Sequence, residues 1–190
     1  WAAHEVLPAR PGDIVDRHGR LLATTVAVKS LFVVPAQIDR RWDVACQLAD
    51  ATGQNRDRVF ERIARHSDKQ FLWLARRLSD DQVAQIQALS LPQEIYGFRD
   101  EFLRVYPQGP IAAQVLGVRD IDGHGRGGLE QSLDEALRGR DGRRAVVRDA
   151  RGRVIAVSEK ITRSPQHGRT IRVTLDAVIQ LHAERALEKV

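Results

Sequence analysis

The sequence predicts an α+β fold, with helical and extended stretches intermixed and no βαβ rhythm. Three observations predict it. Apolar residues at helical spacing (Val44, Leu48 and Ala51) alternate along the chain with β-rich runs such as Leu31-Phe-Val-Val34. Turn chemistry separates these stretches, at His18-Gly19, Gly53, Pro107-Gln-Gly-Pro110 and Gly139. The apolar share, 43% of 190 residues, suffices to bury a core and excludes a disordered tail.

Taken in order, Asp13–Ala23 predicts a hairpin that turns at His18-Gly19. Leu31–Val34 predicts a short strand ended by Pro35. Asp39–Gly53 predicts a helix stopped by Gly53, and Asn55 caps a second helix with Val59, Phe60 and Ile63 on one face. Phe71–Leu74 predicts a strand. Ser79-Asp-Asp-Gln82 has capping-box spacing and opens a helix carrying Val83, Ile86 and Leu89. Glu94–Tyr106 reads as extended, Pro107–Pro110 as a break, and Ile111–Leu116 as one or two helical turns.

Asp120–Gly128 reads as a glycine-rich polar loop. Leu129–Leu137 predicts one helix with Leu129, Leu133, Ala136 and Leu137 inward, closed by Gly139. Arg144–Val147 and Val154–Val157 flank Asp149-Ala-Arg-Gly152 as a hairpin. Thr170–Leu175 alternates as a strand. Asp176 caps a final helix with Ile179, Ala183, Ala186, Leu187 and Val190 along one side. Residues 36–103 thus read as a helix-rich head inserted into an elongated stem of β-strands.

The net charge of +5 raises a basic nucleic-acid-binding domain as an alternative. Two features oppose it: only 5% of residues are aromatic, and acids interrupt nearly every arginine cluster. Arg138–Arg153, the most basic stripe, itself contains Asp141 and Asp149. Cys46 is the only cysteine, so neither an intrachain disulfide nor a thiolate metal cluster can form. No run approaches the roughly 20 apolar residues that span a bilayer. The chain has no methionine and reads as a trimmed or processed piece. A membrane anchor ahead of Trp1 would leave no trace in it.

Catalytic and cofactor readings find little support. The six histidines are never spaced i, i+4 as metal ligands. Glu94 and Glu101 form a carboxylate pair of the sort any surface offers. Gly123-His-Gly-Arg-Gly-Gly128 lacks both the preceding apolar strand and the Gly-Lys-Ser/Thr ending of a phosphate loop. No serine has lysine three places on, Gly53 stands two before the only asparagine, Asn55, and no lysine precedes Thr-Gly or Ser-Gly. Ser-x-x-Lys, Ser-x-Asn and Lys-Thr-Gly, the motifs of a penicilloyl-serine enzyme, are thus all missing. No cofactor or metal is expected.

Gly12–Gly19, Arg104–Pro107, Gly125–Glu130, Leu137–Gly142, Asp149–Gly152 and Thr174–Gln180 stand in register as six segments, and together they resemble the N-terminal dimerisation, or pedestal, domain of class B penicillin-binding proteins. Gly12-Asp-Ile-Val-Asp16-Arg17-His-Gly19 matches an Arg-Gly-x-Ile-x-Asp-Arg-x-Gly stretch, with Pro11 where arginine is usual and Arg10 one place earlier. Arg104-Val-Tyr106-Pro107 and Gly125-Arg-Gly-Gly128-Leu-Glu130 match two central motifs. Leu137–Gly142, Asp149–Gly152 and Thr174–Gln180 resemble the three that follow. Phe71-Leu-Trp73-Leu-Ala-Arg76 is similar to a stretch common in division-type members.

The resemblance implies a non-catalytic scaffold and interaction module over residues 1–172. Residues 173–190 would be the first strand and helix of a transpeptidase domain outside this chain. It implies an extracytoplasmic, periplasmic module tethered to the cytoplasmic membrane by an N-terminal anchor, in a parent that is a D,D-transpeptidase of cell-wall synthesis. The implied partners are a SEDS-type glycosyltransferase, other proteins of the divisome or elongasome, and a second copy of the chain as a homodimer; no nucleic acid is implied.

The residues of the motifs also suggest a physical arrangement. Arg10 or Arg17, together with Arg104, would converge on Glu130 and Asp16, because guanidinium forks match carboxylates. Such a network would fasten the N-terminal strands to the stem. Gly19, Gly125 and Gly128 would supply turns, and Tyr106-Pro107 would end the central extended run.

Overall fold

The computed structural model describes residues 2–148 and 154–187. Its elements begin with β1 (Ala2–Leu7), β2 (Ile14–Val15), β3 (Leu21–Val33), α1 (Arg41–Thr52), α2 (Arg56–Arg65) and β4 (Leu72–Leu78). There follow α3 (Asp80–Gln87), β5 (Tyr96–Val105), α4 (Ala113–Leu116), β6 (Val118–Arg119) and β7 (Gly125–Arg126). The chain continues through α5 (Gly128–Ser132), α6 (Asp134–Arg138), β8 (Gly142–Arg148), β9 (Val154–Arg163), β10 (Ile171–Arg172) and α7 (Ala177–Leu187). The fold is α+β. Two compact units divide it: unit 1, Trp1–Val26 with Phe102–Val190, and unit 2, Ala27–Glu101. Among the described residues no helix is long and apolar enough to cross a membrane.

Unit 2 is built from local signals that agree with one another. Gly53 closes α1 in the left-handed region at φ 69°. The Asn55 side chain accepts the Arg58 N–H at 3.0 Å and starts α2. Ser79 and Gln82 form a reciprocal capping box at the head of α3. Leu31 and Val33 of β3, Leu48 and Ala49 of α1, Val59 and Ile63 of α2 and Ile86 of α3 are buried together.

In this unit β3 pairs antiparallel with β4, setting Phe32 opposite Trp73, and β5 pairs with β3. The short strand expected at Leu31–Val34 is instead the end of β3, which runs 13 residues from the hairpin. Register shifts between Lys29 and Phe32 break the alternation there, so the sequence pattern splits where the strand does not.

In unit 1, β2 pairs antiparallel with β3, as a hairpin turning at Gly19 (φ 85°), and parallel with β10. A second sheet has the order β1-β8-β9. Strand β1 carries no local turn signal because its partner is distant, with Ala2 opposite Val147 and Leu7 opposite Gly142. Strands β8 and β9 pair antiparallel, while the expected turn at 149–152 lies outside the described residues.

Three expectations in unit 1 need correction. The polar loop 120–128 is in part a small hairpin, with Arg119 opposite Gly125. The single helix 129–137 is two, broken at Leu133, where the Asp134 carboxylate turns aside to accept the Gly125 N–H at 3.2 Å. The inner side of α7 carries Ala177, Gln180, Leu181 and Glu184, while Ile179 and Leu187 are exposed; Val190 is outside the described residues. Polar anchors set that rotation. Asp16 accepts the Ala177 N–H, and Glu184 Oε1 accepts the N–H of Ala112, a residue held in the left-handed region.

Candidate functional site

Residues drawn from four distant segments of unit 1 meet around one carboxylate. Glu130 lies in the first turn of α5 and has no exposed surface. A charge this deep must be paired and hydrogen-bonded. Arg104, near the end of β5, donates from Nε to Glu130 Oε1 at 2.6 Å. Its Nη1 reaches the Gly12 carbonyl at 2.7 Å and Thr25 Oγ1 at 2.9 Å. One planar guanidinium therefore ties the 12–16 segment, β3 and α5 together.

On the other side Arg119 of β6 donates from Nε to Glu130 Oε2 at 2.8 Å. Its Nη1 donates to the Gly123 carbonyl at 2.6 Å, and its Nη2 lies 2.9 Å from Asp134 Oδ1. The Arg104 and Arg119 side chains are 3% and 2% exposed, so water screens neither pair. The Tyr106 hydroxyl donates to Glu130 Oε1 at 3.4 Å and accepts the Arg119 N–H at 3.1 Å. Burial first, then the Glu130 charge, raises the Tyr106 pKa above 10.0.

Two glycines permit this approach. A Cβ on Gly125 would lie 1.9 Å from the Glu130 carbonyl oxygen, and one on Gly128 would lie 2.2 Å from that of Val115. Any side chain at either place would push α5, and Glu130 with it, away from Arg104 and Arg119. Pro107 stands two residues past the end of β5, where its missing N–H keeps the strand from continuing.

A second cluster surrounds the turn at 16–20. Asp16 is fully buried, and its carboxylate accepts the N–H groups of His18 (2.8 Å), Arg20 (2.9 Å) and Ala177 (3.2 Å). Burial would raise its pKa. The three N–H groups and the Arg20 charge outweigh this and hold it below 3.8. The Arg17 N–H donates to the Leu175 carbonyl at 2.9 Å, while its guanidinium forks onto the Thr174 carbonyl at 2.9 and 2.6 Å. His18 Nε2 lies 3.0 Å from Asp176. Four consecutive residues, 174–177, are thus gripped by one turn.

The motif residues therefore divide between two clusters. Arg104, Tyr106, Gly125, Gly128 and Glu130 meet in the first; Asp16, Arg17 and Gly19 belong to the second. Neither Arg10 nor Arg17 reaches Glu130 or Asp16. Arg10 pairs instead with Asp13 at 3.0 Å and donates to the Thr25 carbonyl at 3.2 Å. It meets Arg104 only through their shared partner Thr25. Asp16 folds back on the amides of its own turn, which leaves no room for a distant arginine. The sequence reading missed Arg119. Its signal is slight: an arginine just ahead of the glycine-rich loop that leads into α5 and Glu130. Among the described residues no group of His, Cys, Asp or Glu is placed to hold a metal.

A family model for the penicillin-binding protein dimerisation domain matches residues 6–173. The chain belongs to that family. It is 35% identical to a probable peptidoglycan D,D-transpeptidase, PenA of Neisseria gonorrhoeae, over 97% of this chain and 32% of the relative. It is likewise 35% identical to the peptidoglycan D,D-transpeptidase FtsI of Escherichia coli, over 76% of this chain and 25% of the relative. The chain thus spans about a third or less of the length of these relatives. Among solved structures, penicillin-binding protein 2 in its complex with MreC from Helicobacter pylori has the same fold. The TM-score is 0.76 and the identity 17%, over 100% of this chain and 39% of that one.

Proposed function

We propose that this chain is the non-catalytic pedestal of a class B peptidoglycan D,D-transpeptidase, positioning the catalytic domain and presenting surfaces to partner proteins. Residues 1–172 form the pedestal, with its head within 36–103, and 173–190 begin the transpeptidase domain. The observation that carries this reading is the grip of Asp16, Arg17 and His18 on residues 174–177. A turn tied to the first sheet of the pedestal holds the segment through which the chain leaves it. The Arg104–Glu130–Arg119 cluster then locks that first sheet to the rest of unit 1. Position set at one end of the chain is passed on by hydrogen bonds that admit few alternative geometries.

The module works outside the cytoplasm, tethered by a membrane segment beyond this chain. Its partners are a SEDS-type glycosyltransferase, other divisome or elongasome proteins and a second copy of itself. The test uses the full-length protein carrying Asp16→Ala and Arg17→Ala. Labelling of its active-site serine by a fluorescent penicillin should persist while wall synthesis in cells falls. Unchanged wall synthesis would sink the positioning role. Labelling of the present chain by the same reagent would sink the non-catalytic assignment.

A further inference from the structure

A groove of about 560 Å³ opens in unit 1 between α5–α6 and the segment 166–169. Its size falls in the range of ligand sites, about 300–1,000 Å³. Its walls are pinned by main-chain hydrogen bonds. Arg140 and Gln166 exchange two, at 2.7 and 2.8 Å, and the Arg169 N–H donates to the Ala136 carbonyl at 2.9 Å. The Gly168 N–H donates to the Arg10 carbonyl at 2.9 Å. The groove is therefore formed before any ligand arrives.

Its chemistry is lopsided toward donors. Arg140 and Arg169 both line it, and neither guanidinium is paired with a carboxylate among the described residues. Arg10, Arg104, Arg119, Arg126 and Arg144 of this unit have such partners; Arg17, Arg143, Arg163, Arg172 and Arg185 have none among the described residues, but only Arg140 and Arg169 share this groove. His167 Nδ1 accepts the Arg10 N–H at 3.0 Å, which places the proton of the neutral ring on Nε2 as a further donor. Glu135 is the one carboxylate on the lining.

We propose that this groove binds a carboxylate-bearing peptide, its acidic side chains or free terminus received by Arg140 and Arg169. Planar guanidinium forks match a carboxylate in two parallel hydrogen bonds. Two arginines against one glutamate leave a single net positive charge. That balance suits carboxylates, each carrying one charge, and Glu135 opposes the two charges that a phosphate concentrates on one group. The inference does not depend on the positioning role of the module.

The experiment titrates the whole chain with a hexaglutamate peptide at low salt, with inorganic phosphate as a second probe, following backbone amides by NMR. Hexaglutamate should shift Gly139, Gln166, His167 and Gly168, and phosphate should shift them far less. Arg140→Ala with Arg169→Ala should weaken peptide binding about tenfold or more, as loss of charge-assisted pairs requires. Folding should be untouched, because neither guanidinium has a carboxylate partner to lose. Arg58→Ala with Arg99→Ala, exposed arginines of unit 2, removes the same charge and should leave the affinity unchanged. Glu135→Gln should narrow the gap between phosphate and peptide. Absence of shifts in the four amides, equal loss in the unit 2 control, or phosphate binding as well as the peptide each overturns the proposal.

Discussion

Among the described residues, unit 2 gathers 15 buried apolar residues, from Leu31 to Ile95, into one core, whereas the main apolar cluster of unit 1 has eight, from Ile14 to Ala177. Unit 1 is nonetheless the longer in sequence. It carries what unit 2 lacks, a fully buried carboxylate flanked by two buried arginines. The charged counterpart in unit 2 is Arg76 with Glu101, joined by the Ser30 hydroxyl, and both side chains keep about a fifth of their surface in water. The two units are built to tolerate different changes. An apolar core accepts many packings of similar volume. A buried ionic cluster accepts one register, since a displaced segment leaves a charge unpaired. Unit 1 thus exchanges apolar burial for directional contacts among Gly12, Thr25, Arg104, Arg119 and Glu130.

The contrast breaks most directly at Glu130. Glu130→Gln leaves the buried Arg104 guanidinium without a countercharge and Arg119 with Asp134 alone, and should cost about 3–5 kcal/mol. Far-UV circular dichroism in denaturant should show an early transition for unit 1. Fluorescence of Trp42 and Trp73, both in unit 2, should move less in a Trp1→Phe background. A loss under about 1 kcal/mol, the scale of a surface pair, would mean the cluster is not what holds unit 1.

The matching cut in unit 2 is Leu48→Ala, which opens a cavity where the side chain is fully buried. It should cost about 2–5 kcal/mol, this time in the tryptophan signal. Arg104→Lys comes next. An ammonium keeps the charge but cannot span Glu130, Gly12 and Thr25 together, so about 1.5–3 kcal/mol should be lost in the unit 1 transition. If lysine serves as well as arginine, charge alone suffices and fork geometry is irrelevant.

Much of unit 2 was legible in the sequence, because its elements are announced by neighbours: Asn55 caps α2, Gly53 ends α1, Ser79 and Gln82 box α3. The failures lie where a partner is far away. Strand β1 pairs about 140 residues downstream, and the rotation of α7 depends on Asp16 and Ala112, which no periodicity encodes. The site was half legible. The motif letters of Arg104, Tyr106 and Glu130 named residues that do meet. The same letters could not say that Asp16 would satisfy itself on its own turn, that Arg10 would turn to Asp13, or that Arg119 would supply the second guanidinium.

Acid should read the two units through Asp16 and Glu101. Both are held below their ordinary values of 3.8 and 4.5; burial raises each, but the N–H groups around Asp16 and the Arg76 and Ser30 bonds to Glu101 outweigh it. A carboxylate with a depressed folded pKa stabilises above its unfolded pKa and loses that contribution as pH falls through the folded one. Stability should therefore hold down to about 4.5 and decline below it. Asp16→Asn should be less stable at neutral pH and flatter below 3.8, as measured by denaturation midpoints across an acid series. Parallel curves for variant and parent would remove Asp16 from the acid response.

The smallest effect should come from a pair whose geometry rivals that of Arg104 with Glu130. Arg56 forks onto Asp50 at 2.7 and 2.8 Å, which lowers the Asp50 pKa and raises that of Arg56. Yet these side chains are 59% and 54% exposed, against 3% and 0% for the buried pair. Water and salt already compensate both charges in the unfolded chain, so the fork gains little on folding. Arg56→Ala should leave the tryptophan-monitored midpoint indistinguishable from the parent, and salt at about 1 M should erase any residue of an effect. A loss matching that of Arg104→Lys would show that bond geometry, rather than exclusion of water, makes an arginine–carboxylate pair structural here.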